Sequence, residues 1–403
     1  MTPPPTHSSQ EQDVSRVIVL LALAAFASSS SFRVCDPILP QLADEFGVST
    51  GQAAYVVTWF AIAYGVLQFF YGPVSDRYGK FLTLSFATLG CAAGSLMVAM
   101  APTLDIMIVG RFVSGSTAAG IIPLSMAWIG DHVPYANRQV TLSRFMLGTV
   151  LGVAAGQVMG GVFADLMGWR SSFYFLALLY LVCGVLLLSR LKTVPEKLAE
   201  SDRKFQLLAP IIQVASTPWA RMVLIAVFLE GAFVFGALSF VPAYLQEKHS
   251  LSPSAAGAIT GLFAAGAIIY VFKANALIKT LGEVKLVIWG GCILAISFAC
   301  YLGSISWHFA VVGSVLCGFG YYLLHAVLQT NATQMAPAVR GTAVSLFASC
   351  LFLGQSAGTA VGALFADSLG LSAPIWATAL CIALVGWWFA NRLSQRQAVS
   401  HRK

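Results

Sequence analysis

Long apolar stretches, separated by short polar interruptions, run along almost the whole chain. A helix needs about 20 consecutive apolar residues to cross the hydrocarbon core of a bilayer. Twelve stretches approach that length, and we number them span one to span twelve: 17–40, 52–73, 81–101, 106–129, 141–164, 171–190, 220–243, 254–273, 284–304, 308–331, 342–365 and 373–391. The pattern predicts an all-α integral membrane protein with twelve transmembrane helices.

One long polar interval interrupts this pattern between the sixth and seventh spans. It covers residues 191–219 and holds most of its charges before residue 205. We interpret it as a cytoplasmic linker between two six-helix halves, 16–190 and 220–391. Residues 1–15 are rich in proline and serine and are predicted to form a disordered tail. Residues 392–403 are predicted to form a basic C-terminal tail.

The second half of the chain repeats the first. Residues 151–168, LGVAAGQVMGGVFADLMG, align with residues 353–370, LGQSAGTAVGALFADSLG, at an offset of 202 residues. The repeated motif ends in an acid in both halves, Asp165 and Asp367. Two tandem halves of the same orientation, related by a pseudo-twofold axis, are typical of transporters that move one half against the other.

Composition supports a membrane protein and excludes a soluble one. Hydrophobic residues make up 58% of the chain and charged residues only 10%, whereas soluble domains average about 25% charged residues. The eight cysteines lie in apolar stretches without the paired spacing of a zinc or redox site. We therefore expect no metal and no cofactor, and reduced thiols that serve in packing.

The positions of the basic residues predict an orientation. With the amino terminus inside, lysine and arginine gather at cytoplasmic span ends, and only Arg170 and Lys248 fall in outer loops. The net charge of +7 therefore indicates contact with the inner leaflet of a lipid bilayer, and we expect no nucleic-acid partner. We expect a monomeric multi-pass protein of the inner membrane with both termini cytoplasmic.

The loop after span two carries the most specific motif. Residues 72–80 read GPVSDRYGK, which resembles the GxxxDRxGRK signature of the major facilitator superfamily. Span four opens with Arg111 and reaches Gly115 four residues later, and Arg340-Gly341 precedes span eleven; both resemble further family motifs. The resemblance to the twelve-helix drug:proton antiporters of this family implies the major facilitator fold and a transport function.

The resemblance also implies a cytoplasmic gate. We expect Gly72 to permit close helix approach, Asp76 to face the N-terminus of span eleven, and Arg77 to pair with Asp131. The remaining gate residues are predicted from the same loops: Gly79, Lys80, Arg138 and Arg340. The corresponding loop of the second half, residues 275–282, lacks the acid, so any latch of this type should be asymmetric.

Span five has a row of glycines on one face. They are Gly148, Gly152, Gly156, Gly160 and Gly161. The spacing alone predicts tight helix packing. We expect the partner to be a helix of the other half, which is either span eight or a helix near span eleven. The row also resembles the antiporter motif GxxxGPxxGG of exporting members, with Gln157 in place of its proline.

Four ionisable residues lie within predicted spans, where charge is costly and usually functional. Asp36 and Arg33 are three residues apart in span one and share a helix face, and Arg111 lies at a similar depth. Asp36 is either a proton carrier or a permanent partner of Arg33. Glu230, near the middle of span seven, has no basic neighbour on its own helix and is predicted to bind a proton or cation.

Rings and amides from both halves are expected to line a substrate cavity, which favours an amphipathic organic solute over an inorganic ion. The predicted lining residues are Tyr64, Gln68, Gln157, Phe233, Phe235, Tyr321, Tyr322, His325, Gln329 and Asn331. His325 is expected to be a hydrogen-bonded lining residue and not a proton carrier.

The sequence as a whole predicts a secondary transporter that exports a small organic compound by proton antiport. A proton-coupled uptake symporter of the same fold is the alternative, because fold does not fix direction. An intramembrane enzyme would need a His/Asp or Cys/His cluster at a membrane face, and the sequence suggests none. A non-transporting sensor would usually carry an extended soluble domain.

Overall fold

A computed structural model describes residues 7–191, 208–303 and 306–400, and these residues form helices and no strands. The first six membrane helices are α1 (His7–Arg33), α2 (Tyr55–Tyr78), α3 (Lys80–Ala99), α4 (Leu104–Ala118, continued by Ile121–His132), α5 (Tyr135–Met167) and α6 (Arg170–Ser189). The next six are α7 (Pro218–Glu230, continued to His249), α8 and α9 (both within Pro253–Tyr301), α10 (His308–Gln334), α11 (Arg340–Leu369) and α12 (Ser372–Ser400).

The twelve predicted spans are confirmed. By length and composition, eleven helical segments of the described part of the chain can cross a membrane. One of them, Pro253–Tyr301, contains two spans, because Gly282 has a φ of 69° and breaks the helix into α8 and α9. A left-handed backbone conformation at this turn favours glycine, which has no Cβ to clash.

The ends of the two halves differ from the prediction. Helix α1 begins at His7, so the disordered tail predicted for residues 1–15 is wrong from residue 7 onward. A short helix, Leu208–Ser216, occupies part of the predicted linker, and α12 runs through the predicted C-terminal tail to Ser400. Hydrophobicity marks where a helix crosses the membrane, but polar helix formers can extend the helix beyond it. The rest of the linker and of both tails lies outside the described residues.

The glycine row of α5 packs against α1 of its own half, and not against the other half as predicted. A Cβ built on Gly152 would lie 2.5 Å from the carbonyl oxygen of Phe26, and one on Gly156 would lie 2.3 Å from that of Ser30. Gly148 and Gly160 follow the same line of contact along α1. Only Gly161 meets the other half, at Pro253. Gly148, Gly152, Gly156 and Gly160 recur every fourth residue and therefore share one helix face, whereas Gly161 is one position further on and points in another direction.

The second half repeats this crossing. Gly354 and Gly358 of α11, which correspond to Gly152 and Gly156, approach the carbonyl oxygens of Phe228 and Ala232 in α7. The built Cβ atoms would lie 2.0 Å from those oxygens in both cases. The two six-helix halves therefore share one internal architecture and are related by a pseudo-twofold axis.

The two halves meet more closely at one end of the bundle than at the other. We call the end where α1 begins and α12 ends the terminal face, and the other end the opposite face. Helix α2 packs on α11 and α5 on α8 across the interface. The hydrogen bonds between described residues of the two halves lie toward the opposite face.

At the terminal face the halves stand apart. A Cβ built on Gly72 of α2 or Gly341 of α11 would have no atom within 4 Å. Asp76 and Arg340, which were predicted to lie at a closed gate, are both exposed. The structure is therefore closed at the opposite face and open at the terminal face.

Candidate functional site

A cavity of about 220 Å³ lies between the two halves. Seven aromatic rings line it: Phe32, Tyr64, Phe235, Phe263, Tyr321, Tyr322 and Phe352. Three hydroxyl side chains, Ser28, Ser29 and Thr149, add a polar strip on the side of the first half. No charged side chain lies among the lining residues. The cavity is therefore a mainly aromatic chamber that has serine and threonine hydroxyls on one wall in addition to its tyrosine hydroxyls.

Sequence reasoning identified part of this lining. Four of the predicted residues line the cavity: Tyr64, Phe235, Tyr321 and Tyr322. The other predicted lining residues lie elsewhere: Gln68, Gln157, Phe233, His325, Gln329 and Asn331. Gln329, for example, is exposed, and the amide of Asn331 donates to Val327 O at 2.9 Å. Because the rotation of each helix decides which side chains face inward, depth in the membrane was not a sufficient guide.

The lining residues of α1 were missed, although the sequence held a signal for them. Residues 28–31 are four consecutive serines directly before Phe32. A run of hydroxyl side chains in an apolar span indicates a polar surface inside the protein, since lipid offers no hydrogen-bond partners. Phe352 was missed as well, and it stacks on Tyr64 across the halves with ring centroids 4.0 Å apart.

Asp36 lies where α1 ends, in a 3-10 turn that spans Asp36–Ile38. Pro37 follows it and cannot donate a helical hydrogen bond, which explains the break. The Oδ2 atom of Asp36 accepts from Arg33 Nη1 at 2.9 Å and from Gln157 Nε2 at 2.9 Å. Asp36 and Arg33 have no exposed surface. Gln157, predicted to line the cavity, instead holds this buried carboxylate.

This group of side chains crosses from one half to the other. Arg33 Nη1 also approaches Ser239 Oγ at 3.4 Å, and Gln157 Oε1 accepts from Thr260 Oγ1 at 3.1 Å. Beside them, Gln246 Nε2 donates to the carbonyl oxygen of Pro37 at 2.8 Å. Separation of the halves at the opposite face would break all three contacts. Asp36 is thus the centre of a polar network, the Asp36 network, that belongs to the closed face.

Arg33 also connects the Asp36 network to the cavity wall. Its guanidinium carbon lies 4.7 Å from the ring centroid of Phe32 and 4.6 Å from that of Phe235. Both rings line the cavity, one from each half. A guanidinium over an aromatic face is favourable, so Arg33 stabilises the positions of both rings through its contact with each of them.

Arg111, which was predicted to lie at a depth similar to that of Asp36, makes its hydrogen bonds within the first half. Its Nε donates to Val56 O at 3.2 Å and its Nη1 to Ser31 O at 2.8 Å. The guanidinium carbon lies 4.1 Å from the ring centroid of Phe60. All of these partners belong to the first half, and its hydrogen bonds join α4 to the backbones of α1 and α2. Its described contacts do not include an acid.

Glu230 has a partner that the sequence did not reveal. Its Oε2 atom lies 2.7 Å from Nδ1 of His325 in α10, and the carboxylate is fully buried. His325 stacks on Tyr321, with ring centroids 4.7 Å apart and an angle of 19° between the rings. Tyr321 in turn lines the cavity. The Glu230–His325 pair therefore lies one ring behind the cavity, entirely within the second half.

Span seven changes its helical form directly after Glu230. Residues Gly231–Phe235 form a π-helical turn, and Thr378 Oγ1 of α12 donates to the carbonyl oxygen of Phe233 at 2.8 Å. Single π turns inside α-helices are frequent at functional sites. The turn joins Glu230 at one end to the cavity residue Phe235 at the other.

Both carboxylates have one oxygen without a partner among the described residues. Asp36 Oδ1 and Glu230 Oε1 are buried and accept no hydrogen bond from that part of the chain. Buried polar atoms nearly always have a partner, so each exception needs an explanation. A proton or a water molecule on these oxygens would supply it. The described residues contain no cluster of three His, Cys, Asp or Glu side chains able to hold a metal ion.

The predicted gate loop at the terminal face is only partly assembled. Lys80, and not Arg77 as predicted, forms the ion pair with Asp131, while the Arg77 guanidinium carbon lies 5.5 Å from the Tyr78 ring centroid. Arg138 donates to Val133 O at 3.3 Å. Gly79 has a φ of 94° at the turn into α3, which accounts for a glycine there. Asp76 makes no hydrogen bond or ion pair to the residues that the structure describes.

Comparisons with known proteins match this architecture. The family model of the Major Facilitator Superfamily matches residues 21–358 and, separately, residues 223–403. The uncharacterized MFS-type transporter YceJ of Bacillus subtilis is 24% identical over 341 residues, covering 83% of this chain and 85% of that protein. The multidrug resistance protein MdtG of Proteus mirabilis is 24% identical over 410 residues, covering 98% of this chain and 99% of that protein.

A solved structure gives the same fold. The crystal structure of a bacterial homolog of the human lysosomal transporter Spinster, in an inward-facing and unoccupied conformation, aligns with a TM-score of 0.77. It covers 94% of this chain and 97% of that chain at 15% identity, so the likeness concerns the fold alone. From the family match and this shared fold, we conclude that the chain is a multi-pass membrane transporter of the major facilitator superfamily.

Proposed function

We propose that this protein is a proton-coupled exporter of a small amphipathic organic compound. The observation that carries the proposal is the aromatic cavity between two halves that are closed at one face, with the buried Glu230–His325 pair one ring behind it. Alternating access needs a central site that opens to one side at a time. Proton coupling needs a buried group that can gain and lose a proton between the two states.

The chemistry of the cavity supports an uncharged or weakly charged aromatic compound. Flat rings can pack against the aromatic wall formed by Tyr64, Phe352 and Tyr321, and the Ser28 and Ser29 hydroxyls can bond a polar group at one edge. No carboxylate lines the cavity to hold a cation directly. We infer that a neutral compound will bind more tightly than a permanent cation of the same size.

The terminal face corresponds to the cytoplasm in this proposal, and the membrane is the bacterial inner membrane. The positive-inside rule supports the assignment, since Arg77, Lys80, Arg138 and Arg340 all lie at that face. With this orientation, the open face would admit substrate from the cytoplasm. The name of the MdtG relative, a multidrug resistance protein, supports export as the direction.

We also infer that the protein carries out no chemical reaction. Cavity hydroxyls would need an activating base for nucleophilic catalysis, and Thr149 donates instead to the carbonyl oxygen of Met146 at 2.7 Å. The working unit we propose is a monomer whose partners are the solute, protons and lipid. The function needs no cofactor.

The test is transport by the purified protein in liposomes that carry an imposed pH gradient. A growth-inhibition and metabolite screen of a deletion strain first supplies candidate compounds, and matched neutral and cationic aromatic compounds complete the panel. We expect the compound to move uphill against the direction of proton flow, with a pH-sensitive dye reporting the protons. Movement in the same direction as the protons would show the alternative, an uptake symporter. Transport indifferent to the gradient would refute coupling.

A further inference from the structure

The repeated acid at the end of the sequence repeat has no part in the cavity. Asp165 lies near the end of α5 and Asp367 near the end of α11, both exposed at the opposite face. Neither touches the Asp36 network or Glu230 among the hydrogen bonds of the described residues. Yet both halves have the same acid at this position, and both acids reach across the interface.

Each carboxylate accepts a hydrogen bond from a backbone amide of the other half. Asp165 Oδ2 lies 2.9 Å from the amide nitrogen of Ser254 at the start of α8. Asp367 Oδ1 lies 3.0 Å from the amide nitrogen of Gly51, in the short helix before α2, and its Oδ2 accepts from Ser49 Oγ at 2.7 Å. Both amides belong to the first turn of a helix, where no partner exists within the helix.

The helices also touch backbone to backbone beside each acid. A Cβ built on Gly161 of α5 would lie 2.2 Å from the carbonyl oxygen of Pro253, which precedes Ser254. A Cβ built on Gly51 would lie 2.5 Å from the carbonyl oxygen of Ala363 in α11. Each acid therefore lies beside a close helix contact between the halves at this face, and opening the face must break both sets of bonds.

We propose that Asp165 and Asp367 form a paired latch that holds the opposite face closed and so sets the ratio of the two transport states. The pair is related by the same pseudo-twofold as the halves, and each acid closes one side of the interface. Both carboxylates are exposed, so they are rehydrated when the face opens, and the latch can release in every cycle. The proposal rests on alternating access and needs neither proton coupling nor a known substrate.

The latch should act in the opposite sense to Asp76. Asp76 was predicted to bind the start of α11 at the terminal face, which can happen only when that face closes. Each closed face would then be held by hydrogen bonds between a carboxylate and the first turn of a helix. Asp165 and Asp367 would form these bonds at the opposite face, and Asp76 would form them at the terminal face. Loss of the acids at one face should favour opening of that face, because a conformational equilibrium follows the difference in contacts between its states.

The experiment measures the distance across the opposite face by pulsed spin-label spectroscopy. Labels are placed at two exposed residues of that face, Asp44 in the first half and Lys248 in the second, in a background whose half-buried cysteines are replaced by serine. The variants are Asp165→Ala, Asp367→Ala and the double variant. Asp105→Ala is the matched control, since Asp105 is an exposed acid of the same face in the first turn of α4.

We expect the double variant to raise the ratio of long to short distances by roughly tenfold, and each single variant by about threefold. Asp105→Ala should match the parent. High salt should shift the parent toward long distances, by screening the exposed carboxylates, and should leave the double variant unchanged. The asparagine variants keep an acceptor oxygen, so their ratio of long to short distances should lie between the ratios of the parent and of the alanine variants. The latch would be refuted if the double variant had the same distance distribution and salt response as the parent. That result would leave the proposed function untouched, because the transport assay tests proton coupling separately.

Discussion

Asp36 and Glu230 are both fully buried carboxylates in membrane helices, but their partners are distributed differently. Asp36 bonds to Arg33 and Gln157, and those two side chains contact Ser239 and Thr260 of the other half. Among the described residues, Glu230 bonds to His325 alone, inside its own half. The Asp36 network must therefore rearrange when the halves part, whereas the Glu230–His325 pair can keep its geometry through that motion.

The difference suggests two separate tasks for the two acids. Movement of the halves changes the surroundings of Asp36 directly, which suits a group that reports or fixes the state of the closed face. Occupation of the cavity reaches Glu230 through Tyr321 and His325, which suits a group that exchanges a proton in response to substrate. A single buried acid could not easily do both, because a permanent arginine partner opposes protonation.

The largest effect should come from disturbing the helix crossing that supports the Asp36 network. Gly156→Leu would force side-chain atoms into the space of Ser30, whose carbonyl oxygen lies 2.3 Å from a built Cβ. We expect transport to be abolished and the melting temperature to fall, since overpacking costs about 1–3 kcal/mol or more.

The matched control for this change is Gly130→Leu, because a Cβ at Gly130 has no atom within 4 Å. It should express and transport like the parent. Normal transport by Gly156→Leu in a parallel assay would mean that the α5–α1 crossing is loose and does not position Gln157.

A second effect, smaller on transport but not on stability, should follow from removing one charge of the buried pair. Asp36→Asn leaves Arg33 buried without an anion, and breaking a buried pair in this way costs about 3–5 kcal/mol. We expect a lower melting temperature and a long-distance population at the opposite face.

The double variant Arg33→Met/Asp36→Leu separates the two roles of Asp36. It removes both charges and should recover most of the lost stability. If Asp36 only fixes the closed face, this variant keeps gradient-driven transport at a reduced rate. Stable protein with no response to a pH gradient would instead make Asp36 a proton carrier and overturn the division of tasks.

A change of His325 should alter pH dependence more than rate. His325→Gln keeps a donor for Glu230 but replaces an ionisable imidazole by a neutral amide, so substrate exchange should persist while its pH profile shifts. The measurement is the exchange rate across pH 5 to 9, which requires no gradient. An unchanged profile would show that the histidine only orients the carboxylate.

Sequence could give the twelve spans and the two halves, because apolar runs and an internal repeat are local properties of the chain. It could also give the identity of the buried acids, since charge within a span is conspicuous. It could not give the partner of Glu230, because His325 is far along the chain and meets it only when α7 packs on α10. Nor could it place Gln157, which turns toward Asp36 instead of the cavity.

The smallest effect concerns the terminal face, where the structure is open. Asp76→Asn should leave folding intact and slow transport by only a few fold. The contact that it removes forms only in the state whose terminal face is closed. We expect cysteine labelling at the cytoplasmic mouth to increase as the inward-open state gains population. Equal labelling and an equal rate in variant and parent would exclude Asp76 from the gate.

The central claim is that Glu230 carries the proton while Asp36 holds the closed face, and one measurement addresses it directly. In liposomes with an imposed pH gradient, uphill transport is compared with substrate exchange at equal pH for Glu230→Gln, Asp36→Asn and the double variant. Glu247→Gln, at the exposed end of α7, is the control. We expect Glu230→Gln to lose uphill transport and keep exchange, and the control to keep both. Full uphill transport by Glu230→Gln would contradict the account. Full uphill transport by both single variants and the double variant would show further that this protein is not coupled through these acids.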